Sequence, residues 1–195
     1  MKSQSKHQVI VFSAPSGSGK STVVNHLLKV IPNLAFSVSA TTRKPRGKEE
    51  HGKDYYYFSP ESFEEQVKKG AFLEYEEVYK GLFYGTLHSE VERIWALNQT
   101  VIFDVDVKGG LHIKKTYGDR ALCVFLKPPS LEVLEQRLKL RSTEVEHELA
   151  MRLNKAKEEL AFEDQYDLVI VNDKLEETLQ VCEAHVRNFL GLSAE

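Results

Sequence analysis

Val9-Ile10-Val11-Phe12-Ser13-Ala14-Pro15-Ser16-Gly17-Ser18-Gly19-Lys20-Ser21-Thr22 is the stretch that decides the fold. An apolar, β-branched run leads into a turn rich in glycine and serine, and a helical pattern follows. This order predicts a buried strand, a loop and a helix. The spacing Ala14-x-x-x-x-Gly19-Lys20-Ser21 matches the nucleotide-binding P-loop, except that Ala14 stands where the motif has its first glycine.

The chemistry of this loop indicates a polyphosphate ligand. Gly17 and Gly19 allow backbone N–H groups to turn inward around an anion, and the N-terminus of the following helix adds its positive end. We expect Lys20 to lie along the β- and γ-phosphates and the Ser21 hydroxyl to join the shell of a Mg²⁺ ion. A dinucleotide-binding fingerprint does not fit, because Thr22 occupies the position of its third glycine. The alternative is a plain turn with a surface lysine, and the flanking strand and helix favour the P-loop.

The composition limits the class of protein. The chain has 195 residues, 42% hydrophobic and 28% charged, which is typical of one globular domain with room for inserted subdomains. A formal net charge of −3 argues against a nucleic-acid or membrane-surface protein. We find no apolar run of about 18 residues and no signal-peptide core, and therefore expect a cytoplasmic protein. Cys123 and Cys182 fall in apolar patterns and are expected to be buried free thiols.

The region after the first helix changes character. A second strand is predicted at residues 35–39, and residues 41–54 are polar, charged and too long for a passive connection. The elements predicted next are a strand at 55–58, a short helix that begins at Ser59-Pro60 and ends at Gly70, and a hairpin of 72–79 with 82–84 about Lys80-Gly81. We interpret residues 39–88 as a small inserted α+β subdomain.

The remainder of the chain alternates strands with helices. A helix is predicted near 89–97, strands at 101–105, 121–126 and 168–171, and a closing helix striped by Leu175, Leu179, Cys182, Val186 and Phe189. Such alternation implies an α/β fold with a P-loop NTPase-type parallel sheet flanked by helices. Pro128-Pro129-Ser130 opens one more helix, and the capping-box pattern Thr143-x-x-Glu146 opens another directly after it. Two short helices in series predict a hinged flap.

Charged side chains indicate the rest of the site. Asp104 ends the predicted strand 101–105, where P-loop proteins keep an acidic residue that orients Mg²⁺ and its waters; a simple turn residue is the alternative. Guanidinium forks match phosphate oxygens, so arginines near polar loops or the flap favour a second ligand that bears a phosphate. Solvated surface arginines are the alternative. The five arginines concerned are Arg43, Arg46, Arg137, Arg141 and Arg152.

Six blocks of sequence together resemble the guanylate kinase family, and the likeness runs in order over nearly the whole chain. The blocks are Ser13-Ala14-Pro15-Ser16-Gly17-Ser18-Gly19-Lys20-Ser21, Ser37-Val38-Ser39-Ala40-Thr41-Thr42-Arg43-Lys44-Pro45-Arg46, Gly52-Lys53-Asp54-Tyr55, Phe83-Tyr84-Gly85-Thr86, Asp104-Val105-Asp106-Val107-Lys108-Gly109 and Val169-Ile170-Val171-Asn172-Asp173. Bacterial members of that family also have alanine at the position of Ala14. The resemblance implies transfer of the γ-phosphate of ATP to GMP or dGMP, with Mg²⁺, by direct in-line attack.

The resemblance also implies the roles of individual residues. ATP would be bound by Ala14, Pro15, Ser16, Gly17, Ser18, Gly19, Lys20, Ser21, Thr22 and, near the adenine, Asn172. The guanine would face Ser39, Glu74, Thr86 and Asp106, and the GMP phosphate would be held by Arg43, Arg46, Tyr55 and Tyr84. The transferring phosphoryl group would be surrounded by the catalytic set Lys20, Arg43, Arg137, Arg141 and Arg152. Mg²⁺ would be held by Ser21 and, through water, by Asp104.

The same resemblance implies three parts of the chain and two small-molecule partners. Residues 1–38, 89–126 and 158–195 would form the core, 39–88 the GMP-binding subdomain and 127–157 the lid. ATP and GMP are the expected partners, with no nucleic acid or membrane, and a homo-oligomer is left open. Two rival functions remain: a non-catalytic guanylate-kinase-like module of scaffold proteins, and a kinase of the same fold with a different phosphorylated acceptor. The intact P-loop lysine, lid arginines and base-facing residues favour the enzyme that acts on GMP.

Overall fold

The computed structural model describes residues 7–141 and 146–192, with side chains at 7–140 and 149–192. It is an α/β structure in which helices flank a parallel sheet, as the sequence predicts. The strands are β1 (Val9–Ser13), β2 (Leu34–Phe36), β3 (Ala40–Thr41), β4 (Tyr56–Tyr57), β5 (Phe72–Tyr79), β6 (Leu82–Leu87), β7 (Thr100–Val105), β8 (Ala121–Lys127) and β9 (Leu168–Val171). The helices are α1 (Lys20–Val30), α2 (Pro60–Lys68), α3 (His88–Ala96), α4 (Val107–Tyr117), α5 (Leu131–Arg141), α6 (Glu146–Leu160) and α7 (Leu175–Leu190).

The central sheet has the order β2-β7-β1-β8-β9, and all of its pairs are parallel. β1 lies in the middle, and every one of its residues is buried. Because side chains alternate along a strand, Ile10 and Phe12 pack with the residues of α1 and α7, while Val9 and Val11 pack on the opposite face with α3 and α4. The carboxyl ends of β1 and β7 therefore lie side by side, where the phosphate loop and Asp104 begin the site.

Among the elements that differ from the sequence prediction, two belong to the central sheet and its helices. The second strand ends at Phe36 rather than residue 39, because the chain leaves this sheet after one last bond, from the Ser37 N–H to the Ile102 carbonyl at 3.0 Å, and enters another sheet at Ala40. Helix α4 was not predicted, and it contains Gly109 and Gly110, which have a low helix propensity. Close packing favours glycine at both positions: a Cβ atom on Gly109 would lie 2.5 Å from the Glu74 carboxylate, and one on Gly110 would collide with the Ser13 hydroxyl.

A second sheet, of order β4-β3-β6-β5, is built by residues 40–87, which we call the inserted unit. Its hairpin of β5 and β6 follows the predicted turn, although β6 continues three residues farther, to Leu87. The Ser59 hydroxyl caps α2 by accepting from the Ser62 N–H at 3.1 Å, and Pro60 stands in the first turn. Phe63 and Phe72 stack in a separate small core. The inserted unit therefore packs around its own apolar side chains.

Glu90, on α3, joins the inserted unit to the core. Its side chain is 2% exposed. The carboxylate accepts from the Val38 N–H at 3.1 Å, from the Tyr56 hydroxyl at 3.0 Å and twice from the Arg93 guanidinium, each at 2.9 Å. A buried charge is stable only when it is paired in this way.

Helices α5 and α6 form the predicted pair in series. Leu134 and Leu138 of α5 pack on Ala156 of α6, and both leucines also lie against Gly17 of the phosphate loop. The capping residue predicted for the second helix, Thr143, is outside the described residues. Among the described residues, no helix is both long and apolar enough to cross a membrane.

Candidate active site

The loop between β1 and α1 has the geometry of a phosphate-binding loop. Gly17 has φ +90° and Gly19 has φ +93°, a region that favours glycine because it lacks a Cβ atom. Gly19 is also the N-cap of α1, so the positive end of the helix opens at the loop. Asn172 lies directly behind Gly19 and donates to the Ser18 carbonyl at 2.7 Å. The loop is thus closed from behind and open toward a cavity.

Lys20 and Ser21 meet the end of β7. The Lys20 ammonium donates to the Val105 carbonyl at 2.9 Å and forms an ion pair with the Asp104 carboxylate. The Ser21 hydroxyl donates to the other oxygen of Asp104 at 2.9 Å. The two predicted metal ligands, Ser21 and Asp104, are therefore neighbours, and the predicted phosphate-binding lysine lies next to them.

Glu74 of β5 is a buried carboxyl with a side chain only 7% exposed. The Thr86 hydroxyl donates to one of its oxygens at 2.6 Å, and Gly109 packs against the other. Burial raises the pKa of Glu74 to about 7; the Thr86 hydrogen bond opposes the shift, and the charges of Asp106 and Glu76 add to it. An ionised carboxylate here can accept hydrogen bonds from a ligand that carries N–H donors.

Arg43 and Glu49 form a bidentate pair beside the cavity. The two terminal nitrogens of the Arg43 guanidinium donate to the Glu49 carboxylate, each at 2.9 Å. Glu49 also accepts from the Arg46 N–H and from the Tyr57 hydroxyl, each at 2.8 Å. These bonds raise the pKa of Arg43 and lower that of Glu49 to about 2. Arg43 lies 5.1 Å from the centre of the Tyr55 ring, so its positive charge is fixed next to that residue.

One cavity of about 590 Å³ joins these features. The phosphate loop lines one end of it, and the buried Glu74 lines the inserted-unit side. The predicted site residues along its wall are Ala14, Pro15, Ser16, Gly17, Ser18, Gly19, Lys20, Ser21, Ser39, Arg46, Tyr55, Glu74, Tyr84, Asp104, Asp106 and Arg152. The structure therefore brings most of the predicted residues from three parts of the chain to one space.

The other predicted residues lie behind or beside this wall. Thr86 reaches the cavity through its bond to Glu74, and Arg43 stands behind Tyr55 on Glu49. Arg137 donates to the Asn172 carbonyl at 3.0 Å, on the rear side of the phosphate loop. The predicted residues not yet mentioned are Thr22, which is exposed in the first turn of α1, and Arg141, whose side chain is outside the described part.

Sequence reasoning missed several charged residues of the site. Among them are Glu49, which orients Arg43, and Lys155 and Glu159 of α6, which line the cavity. Burial raises the pKa of Glu159 to about 7, while the neighbouring Lys155 lowers it and Asp106 raises it. Lys155 and Glu159 are four residues apart on one face of a helix, which was the available signal. Ordinary surface pairs share this spacing, so it did not distinguish them.

Known proteins are similar to this chain over nearly its whole length, including the residues of the site. The family model described as guanylate kinase matches residues 6–189. The guanylate kinase of Bacteroides fragilis is 50% identical over 188 residues, which cover 96% of this chain and 92% of that protein. The guanylate kinase of Porphyromonas gingivalis is 47% identical over 185 residues, covering 94% and 98%.

A solved structure is similar as well. The crystal structure of guanylate kinase from Anaplasma phagocytophilum superposes with a TM-score of 0.76 at 32% identity, covering 94% of this chain and 86% of that one. The matches include both the phosphate loop and the inserted unit. The chain belongs to the guanylate kinase family.

Proposed function

We propose that this chain transfers the γ-phosphate of ATP to GMP, giving ADP and GDP. The observation that carries the proposal is that the phosphate loop and the buried Glu74 line one cavity. Membership of the guanylate kinase family supports the same reaction. The cytoplasm is the compartment we propose, because buried free thiols fit a reducing environment.

The donor end of the cavity suits the phosphates of ATP. Backbone N–H groups of the loop and the start of α1 attract the phosphate oxygens, and Lys20 exchanges Asp104 for the β- and γ-phosphates. The Ser21 hydroxyl and the Asp104 carboxylate, 2.9 Å apart, are hard oxygen ligands of the kind that Mg²⁺ prefers, so the residues present fit the ion. When bound there, Mg²⁺ would neutralise negative charge on the phosphates of ATP. Asn172 would lie toward the adenine.

The inserted-unit end suits guanine. The N1–H and 2-amino groups of guanine are both donors, and the Glu74 carboxylate accepts both. The Thr86 hydroxyl fixes one Glu74 oxygen, and Asp106 is held by the Gly109 N–H at 2.7 Å as the N-cap of α4. Together with Ser39, these groups form a polar surface for the base. Adenine has no donor at N1 and no 2-amino group, so the same surface rejects AMP.

The phosphate of GMP lies between the base-binding surface and the donor end. Arg46, Tyr55 and Tyr84 line the cavity at this place, and Arg43 stands behind Tyr55. Arg43 is held in one orientation because Glu49 accepts two bonds from its guanidinium. Arginine forks and tyrosine hydroxyls both donate to phosphate oxygens. This group of residues sets the direction from which the acceptor oxygen approaches.

Residues 127–157, which include α5 and most of α6, act as a lid in this proposal, and residues 39–88 as the GMP-binding subdomain. Closure of both excludes water, which otherwise competes as the phosphoryl acceptor. Arg137, Arg141 and Arg152 then surround the transferring group with positive charge. The acceptor oxygen of GMP is already anionic near neutral pH, so in-line attack needs no protein base.

An acceptor survey tests the proposal. ADP release is measured by a coupled assay with ATP and Mg²⁺ and with GMP, dGMP, AMP, UMP or CMP. We expect the highest rate with GMP, a lower one with dGMP and almost none with AMP. A higher rate with another monophosphate would identify a different acceptor, and no ADP release with any of them would indicate a binding module without catalysis.

A further inference from the structure

One contact joins the lid directly to the inserted unit. The ammonium of Lys155, on α6, donates to the carbonyl of Val78, on β5, at 3.2 Å. The same nitrogen lies 5.2 Å from the centre of the Tyr79 ring, within range of a cation–π interaction. None of the reaction steps described above uses Lys155.

The backbone of the hairpin is irregular where Lys155 reaches it. The pairing of β5 with β6 shifts register between Glu77 and Tyr79, so Val78 has no partner in the register. Such a bulge turns the backbone away from the regular ladder and re-aims it. As a result, the Val78 carbonyl and the Tyr79 ring both contact the Lys155 ammonium.

Lys155 also contacts a carboxylate of its own helix, that of Glu159. The Glu159 carboxylate lies 3.8 Å from the Lys155 ammonium, one helical turn away, and the side chains of Lys155 and Glu159 are 24% and 13% exposed. The Lys155 side chain is thus partly buried, with its ammonium near a carboxylate, a carbonyl and a ring. Charge-assisted contacts at such a place are stronger than those on the open surface.

This contact lies where two cavities meet. A second cavity, of about 720 Å³, adjoins the first, and Val78, Tyr79, Lys155 and Glu159 line both of them. The contact therefore crosses the cleft between the lid and the inserted unit, at the side of the space where the substrates react.

We propose that Lys155 is a positioning residue that latches α6 to the hairpin of β5 and β6, and so holds the cleft partly closed before the substrates bind. The inference rests on the proposed function, since it assumes that GMP binds under this latch. A chain whose binding-competent form is populated only in part binds its ligand more weakly by that same fraction. Lys155 thus lowers the dissociation constant of GMP without acting on the reacting atoms.

The test compares five variants. Lys155→Met keeps the length of the stem and removes the charge, Lys155→Arg restores a charged donor, and Tyr79→Leu removes the ring. The double variant Lys155→Met with Tyr79→Leu measures their coupling, and Lys157→Met is the matched control because Lys157 is exposed on the same helix. The dissociation constant of GMP is measured by calorimetry, and kcat and KM by the ADP-release assay.

We expect Lys155→Met to raise the dissociation constant and the KM of GMP about tenfold while kcat changes less than about twofold. Tyr79→Leu should raise the same constants about threefold, and the double variant should match Lys155→Met because both changes break one latch. Lys155→Arg should stay within about threefold of the wild type. A fall in kcat at unchanged GMP affinity, or additive effects in the double variant, would overturn the proposal, because Lys155 would then act on the substrates.

A distance measurement keeps the latch testable if the proposed function fails. Spin labels on Lys80→Cys and Lys157→Cys, both at exposed positions, report the separation of the hairpin from α6 in the absence of substrates. We expect Lys155→Met to lengthen or broaden this distance and Lys155→Arg to leave it unchanged. An unchanged distance in Lys155→Met would overturn the latch, whereas an inactive wild type in the acceptor survey would overturn the proposed function alone.

Discussion

The two ends of the cavity are built in different ways. The donor end is one continuous loop whose binding groups are backbone N–H donors and a helix terminus, with Lys20 and Ser21 directly following it. The acceptor end is built from side chains of separate strands, among them Glu74 on β5 and Thr86 on β6. Backbone groups recognise any polyphosphate, whereas buried side chains can distinguish one base from another. Affinity for phosphate and choice of base are thus separate properties.

The difference extends to electrostatics. At the donor end the charges of Lys20 and Asp104 compensate each other in the absence of ligand. At the acceptor end burial raises the pKa of Glu74, and the hydrogen bond that it accepts from the Thr86 hydroxyl comes from a neutral group. The donor end therefore carries its own counter-charge, whereas the acceptor end presents a carboxyl that the N–H donors of a ligand can pair with.

The largest effect should come from the donor end. Lys20→Met removes the cation that acts on the phosphates of ATP, and we expect kcat to fall by a factor of about 10³ while the fold and GMP binding are kept. Activity is measured by ADP release and GMP binding by calorimetry. Lys29→Met is the matched control, since Lys29 is exposed at the end of the same helix. A kcat near that of the wild type would contradict the role of the phosphate loop.

A substitution at the acceptor end should impair the reaction with GMP but not the reaction with AMP. Glu74→Leu removes both the acceptor for guanine and the repulsion toward adenine, so kcat/KM for GMP should fall at least about 10²-fold while that for AMP stays the same or rises. Both acceptors are measured in the ADP-release assay. Glu77→Leu, at an exposed position of the same strand, should keep the preference for GMP. An undiminished preference in Glu74→Leu would show that another residue recognises the base.

Arg137 lies behind the donor end, bonded to the Asn172 carbonyl, and its replacement should have a smaller effect. Arg137→Lys keeps the charge but loses the fork, so kcat should fall about tenfold to hundredfold while the dissociation constant of GMP changes little. Steady-state kinetics and calorimetry separate the two quantities. Arg120→Lys, at an exposed position, is the control. If KM for GMP rises and kcat holds, Arg137 binds the acceptor instead.

The smallest effect is the pH dependence of Glu74. GMP needs the ionised carboxylate, and the pKa of Glu74 without GMP is about 7, so GMP affinity should fall about tenfold from pH 8 to pH 6.

The stability of the fold should depend on pH in the opposite direction. The Glu74 carboxyl keeps its proton up to about pH 7 in the folded state, whereas in the unfolded state it loses the proton near pH 4.5. This group therefore lowers the stability of the ligand-free protein as the pH rises from about 4.5 to 7.

Glu74→Gln is the control for both measurements, because it cannot ionise. In calorimetry at several pH values, the GMP affinity of this variant should depend less on pH than that of the wild type. The dependence that remains reports the phosphate of GMP itself, which titrates at about pH 6. Thermal unfolding should show the variant gaining stability relative to the wild type toward pH 8. Equal pH profiles for the two proteins would mean that Glu74 is ionised throughout.

These two ends were also unequally predictable from the sequence. The donor end was predicted from its residues alone, because strand, loop and helix are local and the spacing of Gly19, Lys20 and Ser21 is set by one turn of backbone. At the acceptor end, composition could not distinguish Glu74 from Glu76 and Glu77, and only the family resemblance did so. The choice of base depends on which carboxyl of β5 is buried by α4, a helix distant in the sequence. No short sequence pattern encodes that burial.

Helix α4 and the residues around it show the same limit for the fold. Gly109 and Gly110 carry a weak helix propensity, and tertiary packing overrides it because Glu74 and Ser13 approach the helix too closely for a side chain. Glu49 was missed because it is one acidic residue in a charged loop, and its partner Arg43 is fixed by three-dimensional folding. The contact of Lys155 with Val78 depends on the bulge in β5. Contacts of this kind appear only when the whole chain is folded.

Glu90 determines how the inserted unit can turn. The chain passes out of the core near Val38 and returns at His88, and the Glu90 carboxylate holds the Val38 N–H while sitting two residues after the return. Because both crossings meet at one buried group, we expect a rotation of the unit to pivot there, and points far from Glu90, such as the hairpin turn, to move farthest. In the closure that we propose, the unit would turn as a rigid body without bending of its strands, and contacts made at the opposite edge would hold it closed.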